Sequence, residues 1–199
     1  MGTDKSLISL GGSPLVAHAL EILRGAGLSA SLAGAGAGLE EFAEVVADEE
    51  PERGPLGGIC AALARMSEQF AVFLPVDMPF APSSLILYLI DRAVVTGAPV
   101  TVSSLNGGVQ TFPVVLERGT LPVLKRLLDA GRGGCLTAFE AAAAQGGQRL
   151  AVIPAEILAQ CGQVVDPGGL PAAFWYLNVN TPEGLGRAGA VYDWLHRVS

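Results

Sequence analysis

Lysine occurs only twice in the 199 residues, at Lys5 and Lys125, and the 12 basic residues are outnumbered by 19 acidic ones, for a net charge of −7. That balance provides no broad positive field for a phosphate backbone, which argues against extended nucleic acid as a partner. Cysteine is also sparse. Cys60, Cys135 and Cys161 are scattered with no Cys-x-x-Cys spacing, against a disulfide framework or a structural zinc site, and a reducing cytoplasm is the expected location. No apolar run is long enough to span a bilayer: the longest, around Leu85 to Val95, is broken by Asp91 and Arg92, and the pattern of a secretory signal is absent, so no membrane partner is expected. The opening Met1-Gly2-Thr3-Asp4-Lys5-Ser6 fits the loose N-myristoylation pattern, which short segments often match by chance. The histidines, His18 and His196, fall on predicted helices with no serine or cysteine nucleophile motif near either. There is no Gly-x-Ser-x-Gly elbow and no zinc-spaced histidine pair, which disfavours those hydrolase chemistries.

What is present is apolar residues, 50% of the chain, enough for one sizeable core and a single domain over 1–199. Ser13-Pro14 followed by Leu15, Val16, Ala19, Leu20, Ile22 and Leu23 predicts a helix with a serine cap and proline at its first position, ended by Gly25 and Gly27. Short apolar runs then read as buried strands: Ser29 to Ala33, Val45 to Ala47, Ala71 to Val76, Pro99 to Ser103, Phe112 to Leu116 and Leu150 to Ile153. Between them the spacing predicts helices over Gly58 to Glu68, Ser83 to Val95, Leu121 to Ala130 and Leu136 to Ala144. Thr181-Pro182-Glu183 opens a last helix. The alternation predicts an α/β fold, a doubly wound, mostly parallel sheet with helices on both faces, and in such folds ligands sit at the carboxyl ends of strands.

The residues placed there carry the chemistry. Asp77 follows the run Ala71 to Val76 and is followed by Met78-Pro79, a placement that suits a hard oxygen ligand for Mg²⁺ and equally a side chain that caps the turn. Asp48 closes the strand at Val45 to Ala47, where it could hydrogen-bond a ribose or base, while Glu49, Glu50 and Glu52 after it read as solvated loop charges. Gly54-Pro55-Leu56-Gly57-Gly58 opens a helix; glycines permit close backbone approach and the free amides of a helix start attract negative charge, though a plain loop-to-helix joint explains the same residues. Lys5 offers a compact ammonium for phosphate oxygens, or is merely part of a polar N-terminus. Gly34-Ala35-Gly36-Ala37-Gly38 is mis-spaced for a dinucleotide fingerprint, and the next strand begins too soon for a crossover helix.

Taken in order, Met1-Gly2-Thr3-Asp4-Lys5, Gly12-Ser13-Pro14-Leu15, Asp48, Gly54-Pro55-Leu56-Gly57-Gly58, Asp77-Met78-Pro79-Phe80 and Asn178-Val179-Asn180-Thr181-Pro182-Glu183 resemble the molybdenum cofactor guanylyltransferase family along nearly the whole chain. The resemblance implies a Rossmann-like nucleotide-binding fold that transfers GMP from GTP to molybdopterin, with Mg²⁺ and release of pyrophosphate, in the cytoplasm. It further implies that Lys5 contacts phosphates and Asp77 holds the magnesium. Asp48 and the Gly54 to Gly58 turn would lie beside the nucleoside, and Asn178 and Asn180 would face the pterin or the reacting phosphates. Passing contact with proteins that carry or accept the cofactor is implied as well.

Two departures from the family pattern bear on this. In the family a first strand and a Leu-Ala-Gly-Gly stretch with a basic residue precede the Met-Gly-x-Asp-Lys segment. The expectation is that the natural protein starts earlier than Met1; the alternative is a chain that has kept the fold with impaired catalysis. Where the family commonly offers a polar side chain to guanine, Leu32, Ala33 and Gly34 offer none, which leaves a related cytidylyltransferase or sugar-phosphate nucleotidyltransferase as alternatives.

Overall fold

The computed structural model describes residues 5–34, 38–47, 53–131 and 134–198. In chain order one 3-10 turn at Lys5–Leu7, with a second later at Arg118–Thr120, leads to β1 (Ser9–Leu10), β2 (Ser13–Pro14), α1 (Leu15–Gly25), β3 (Leu32–Ala33), β4 (Val45–Val46), α2 (Gly54–Arg65), β5 (Phe70–Phe73) and α3 (Ser83–Thr96). There follow β6 (Val100–Leu105), β7 (Gly108–Glu117), α4 (Leu121–Asp129), α5 (Cys135–Gln145), β8 (Ala151–Pro154), α6 (Ala155–Gln160), α7 (Ala172–Trp175) and α8 (Pro182–Val198). The chain forms two compact units. The first takes the residues up to Ser29, Leu74–Leu87 and those from Ala155 onward; the second takes Ala30–Phe73 and Tyr88–Pro154. Among the described residues no helix is long and apolar enough to cross a membrane.

The second unit holds a four-stranded sheet of order β5-β7-β6-β8, in which β7 runs antiparallel to both neighbours and β6 pairs parallel with β8. Three strands therefore share one direction and β7 is reversed. The reversal comes from Asn106-Gly107, whose positive φ values of 51° and 76° make the tight turn that closes a β6–β7 hairpin with Leu105 opposite Gly108. Gly, and at modest cost Asn or Asp, occupy that region. A second pair, β3 with β4, is parallel. Val100 and Val102 of β6 and Val114 and Leu116 of β7 point to one face, where Leu56, Ile59 and Leu63 of α2, Leu124 of α4 and Phe139 of α5 bury against them. Phe112 meets Phe139 edge to face at 6.1 Å between ring centroids. On the opposite face Thr101, Ser103 and Val115 are also fully buried, so the sheet is covered on both sides.

The first unit is organised by helices. α1 differs from its predicted start: Pro14, extended at φ −69° and ψ 151°, is the N-cap residue and Ser13 makes no cap bond, because Ser13–Pro14 is paired with Ser9–Leu10. The N–H of Leu15 is satisfied instead by the carbonyl of Ile8 at 2.9 Å. At the other end Ala26 closes the helix and Gly27 takes a φ of +71°. The opening of α8 matches its sequence signal: Thr181 accepts a hydrogen bond from the N–H of Gly184 at 3.0 Å, a capping contact, with Pro182 as the first helical residue.

Candidate functional site

Asp77 is not delivered by the strand itself. β5 ends at Phe73, opposite Val114, and Leu74-Pro75-Val76 leads out of the sheet. The predicted strand to Val76 is too long because Pro75 has no N–H to give a ladder and biases the residue before it. The chain turns instead, with the N–H of Met78 on the carbonyl of Pro75 at 3.3 Å.

That turn is tied to the segment ahead of α8. The N–H of Val179 donates to the backbone carbonyl of Asp77 at 2.9 Å, which brings Asn178 and Asn180, on either side of Val179, to the Asp77 side chain. Lys5 completes the group, its Nζ donating to Asn180 Oδ1 at 3.2 Å. Gly184 matters to the same arrangement: a Cβ there would lie 2.9 Å from the carbonyl oxygen of Asn178, so only glycine lets the first turn of α8 sit so close to that residue. Four of the residues singled out from sequence, Lys5, Asp77, Asn178 and Asn180, thus meet within the first unit.

The electrostatics of this group are set by a poorly solvated carboxylate. Burial holds the Asp77 carboxyl above its ordinary value of 3.8, against the opposing pull of the Lys5 ammonium and the amides of Asn178 and Asn180. Asp77 Oδ1 is buried and has no hydrogen-bond partner among the described residues. A buried anionic oxygen without a partner is costly, and either a proton or a hard cation would remove the cost. Among the described residues no cluster of three or more histidine, cysteine or carboxylate side chains could hold a metal. The carboxyl of Asp77 could hold Mg²⁺, an ion that keeps several waters and takes one or two carboxylates alongside ligand phosphates.

The remaining predicted residues fall in the second unit or outside the described residues. Gly54, Pro55, Leu56, Gly57 and Gly58 form the first part of α2, which starts at Gly54, at the beginning of this stretch rather than at its end. Gly54 has a φ of +68°. Leu56, Gly57 and Gly58 are buried, and a Cβ on Gly58 would meet that of Ala33 at 3.3 Å, so one of these glycines serves the packing of helix on strand. Arg53, the N-cap residue, donates to the carbonyl of Leu128 at 2.8 Å and lies 3.9 Å from Asp129. Asp48 and Glu49 to Glu52, like Met1 to Asp4 and Ala35 to Ala37, lie outside the described residues. Sequence reasoning passed over Gly184, which could have been suspected as a glycine inside a capped helix.

An aspartate in a turn with an ammonium and two amides gathered on it suits a site that meets phosphate oxygens, and similarity to known proteins gives the class as nucleotidyltransferase. The chain belongs to the family of MobA-like NTP transferase domains, whose family model matches residues 1–153. It is 32% identical to a molybdenum cofactor guanylyltransferase of Xanthomonas euvesicatoria pv. vesicatoria over 188 residues, covering 94% of this chain and 86% of the relative. It is 28% identical to the protein of the same name from Vibrio cholerae serotype O1 over 201 residues, covering 96% and 85%. Its fold matches the crystal structure of molybdopterin-guanine dinucleotide biosynthesis protein A from Archaeoglobus fulgidus, with a TM-score of 0.75 over 96% of this chain and 92% of that one, at 18% identity.

Proposed function

We propose that this protein transfers GMP from GTP to molybdopterin, with Mg²⁺ held at Asp77, and releases pyrophosphate. The observation that carries the reading is the buried, unpartnered Oδ1 of Asp77 beside Lys5, Asn178 and Asn180. The guanylyltransferase names of relatives covered over most of their length support the choice of substrates. In the reaction a phosphate oxygen of the pterin substrate attacks the α-phosphorus of GTP, the bond to the bridging oxygen breaks, and pyrophosphate leaves. Attacking and leaving groups are both anionic, so the task is to hold them in line and offset their charge. Lys5 supplies a fixed ammonium for phosphate oxygens. Asn178 and Asn180 supply amide donors that need no protonation change. Bound at Asp77, Mg²⁺ would screen the triphosphate and orient it. No protein nucleophile is required.

The choice of base rests on less. Leu32, Ala33 and Gly34 carry no polar side chain, and the N–H of Gly34 is already given to the carbonyl of Val46 at 3.2 Å. Recognition of guanine then falls to other groups, and competition between GTP and CTP for binding separates a guanylyltransferase from a cytidylyltransferase. The decisive experiment incubates the protein with Mg²⁺, GTP and molybdopterin and follows pyrophosphate. Turnover is expected, lost when Mg²⁺ is chelated and reduced on the order of a hundredfold in Asp77→Asn. Turnover unaffected by that substitution would remove Asp77 from the mechanism.

A further inference from the structure

Away from the phosphate-facing group, the first unit contains an aromatic cluster the reaction does not use. Gly11, at the turn between β1 and β2 with a φ of +60°, lies against the ring of Tyr192 on α8. A Cβ built on Gly11 would fall on Cε1 and Cζ of that ring and 2.6 Å from Cδ1. The tyrosine is itself fixed from two sides. His196 stacks on it at 4.0 Å and 24°, and His18 of α1 meets it edge-on at 5.8 Å and 77°. The cluster is bonded to the backbone as well, with His18 Nε2 on the carbonyl of Leu10 at 2.9 Å and His196 Nδ1 on the carbonyl of Tyr192 at 2.9 Å.

The β1–β2 hairpin is continuous with the turn that carries Lys5. The N–H of Ile8 donates to the carbonyl of Lys5 at 3.2 Å, and the N–H of Leu15 to that of Ile8 at 2.9 Å. The Lys5 segment is thus attached to the α8 segment at two places, through Nζ on Asn180 just before the helix and through Gly11 on Tyr192 well inside it. With a rise of about 1.5 Å per residue, Tyr192 lies roughly 15 Å along α8 from Pro182. The segment is also held by the buried Ser6 and by the β1–β2 pairing. Two attachments that far apart fix its orientation.

We propose that Gly11 and Tyr192 form a positioning clasp by which α8 sets the direction of Lys5, so that its ammonium stays on Asn180 and beside Asp77. The function assigned to Lys5 here rests on the nucleotidyltransfer reading above. Tyr192 touches no reacting atom and acts only through Lys5, which makes the two residues energetically coupled.

The test is a double-mutant cycle on pyrophosphate release with Tyr192→Ala, Tyr192→Phe, Gly11→Ala and Lys5→Ala. Tyr192→Ala and Gly11→Ala are expected to lower kcat about tenfold, with Tyr192→Phe, which keeps the ring, within about twofold of the wild type. Adding Tyr192→Ala to Lys5→Ala should cost nothing more. Equal losses in the presence and absence of Lys5, or an unchanged kcat in Tyr192→Ala, would overturn the clasp. A second measurement stands apart from turnover: reductive ¹³C-methylation labels the lysines while keeping their charge, and Lys125→Arg assigns the signal of Lys5. Its methyl relaxation is expected to report a more mobile side chain in Tyr192→Ala and Gly11→Ala than in the wild type. If no variant or wild-type protein releases pyrophosphate, the functional reading fails while this measurement still decides the clasp, and an unchanged Lys5 signal sinks it.

Discussion

At the scale of single residues the role proposed for Asp77 turns on how much it costs to keep its carboxyl charged. Its folded carboxyl binds a proton more tightly than an ordinary one at 3.8, so between that value and the raised folded value the native state carries the extra proton. The associated stability is complete below 3.8 and is lost as pH rises through the folded value. Denaturant melts of metal-free protein from acid to neutral pH should therefore show a falling contribution that Asp77→Asn removes. Added Mg²⁺ is expected to raise the melting temperature of the wild type at neutral pH and leave Asp77→Asn unmoved. A rise of equal size in both proteins would place the ion elsewhere. Mg²⁺ binding to the metal-free protein should weaken on the acid side at a higher pH than an ordinary carboxylate would give, because proton and ion compete for the same carboxyl.

At the scale of elements, close approach is set by glycines. Gly184→Ala puts a methyl group 2.9 Å from the carbonyl oxygen of Asn178, a backbone atom that cannot swing aside. A stability loss of about 1–3 kcal/mol is expected in chemical denaturation, with a drop in pyrophosphate release as Asn178 is displaced. Full activity in that variant would mean Asn178 has no part in the reaction. In the sheet core Phe139 is fully buried, and Phe139→Ala should cost about 3–5 kcal/mol with little effect on the residues around Asp77.

Much of this level could be read from the chain. The apolar runs at Val100, Val114 and Ala151 became strands, and Thr181-Pro182 became the start of α8, since each is dictated by local burial or capping. The strand ending at Val76 was overdrawn because Leu74 and Val76 are apolar while the proline between them breaks the ladder. The hairpin at Asn106-Gly107 had a plain turn signal that the alternation of strand and helix masked. Lys5, Asp77, Asn178 and Asn180 were legible through the order of motifs, whereas Tyr192 on Gly11 was not, because a ring laid on a glycine joins positions far apart in sequence and leaves no periodic trace.

For the molecule as a whole, each compact unit is assembled from separated stretches of chain, and the family match at 1–153 stops before the segment that bears Asn178 and Asn180. A chain ended after Pro154 would keep every strand of the four-stranded sheet yet lose both asparagines and Tyr192. Such a protein is expected to show strand content by circular dichroism and no pyrophosphate release. Activity retained in it would remove the role proposed for Asn178 and Asn180.

The bond from Val179 to the main-chain oxygen of Asp77 has its own bearing on how experiments are interpreted. It is indifferent to the side chain at position 77, so replacing the aspartate leaves the two loops stitched together. What vanishes in Asp77→Asn then reports the lost negative charge and one carboxylate oxygen, and what vanishes in Asp77→Ala the whole carboxyl with its bonds to Asn178 and Asn180, rather than a collapsed neighbourhood.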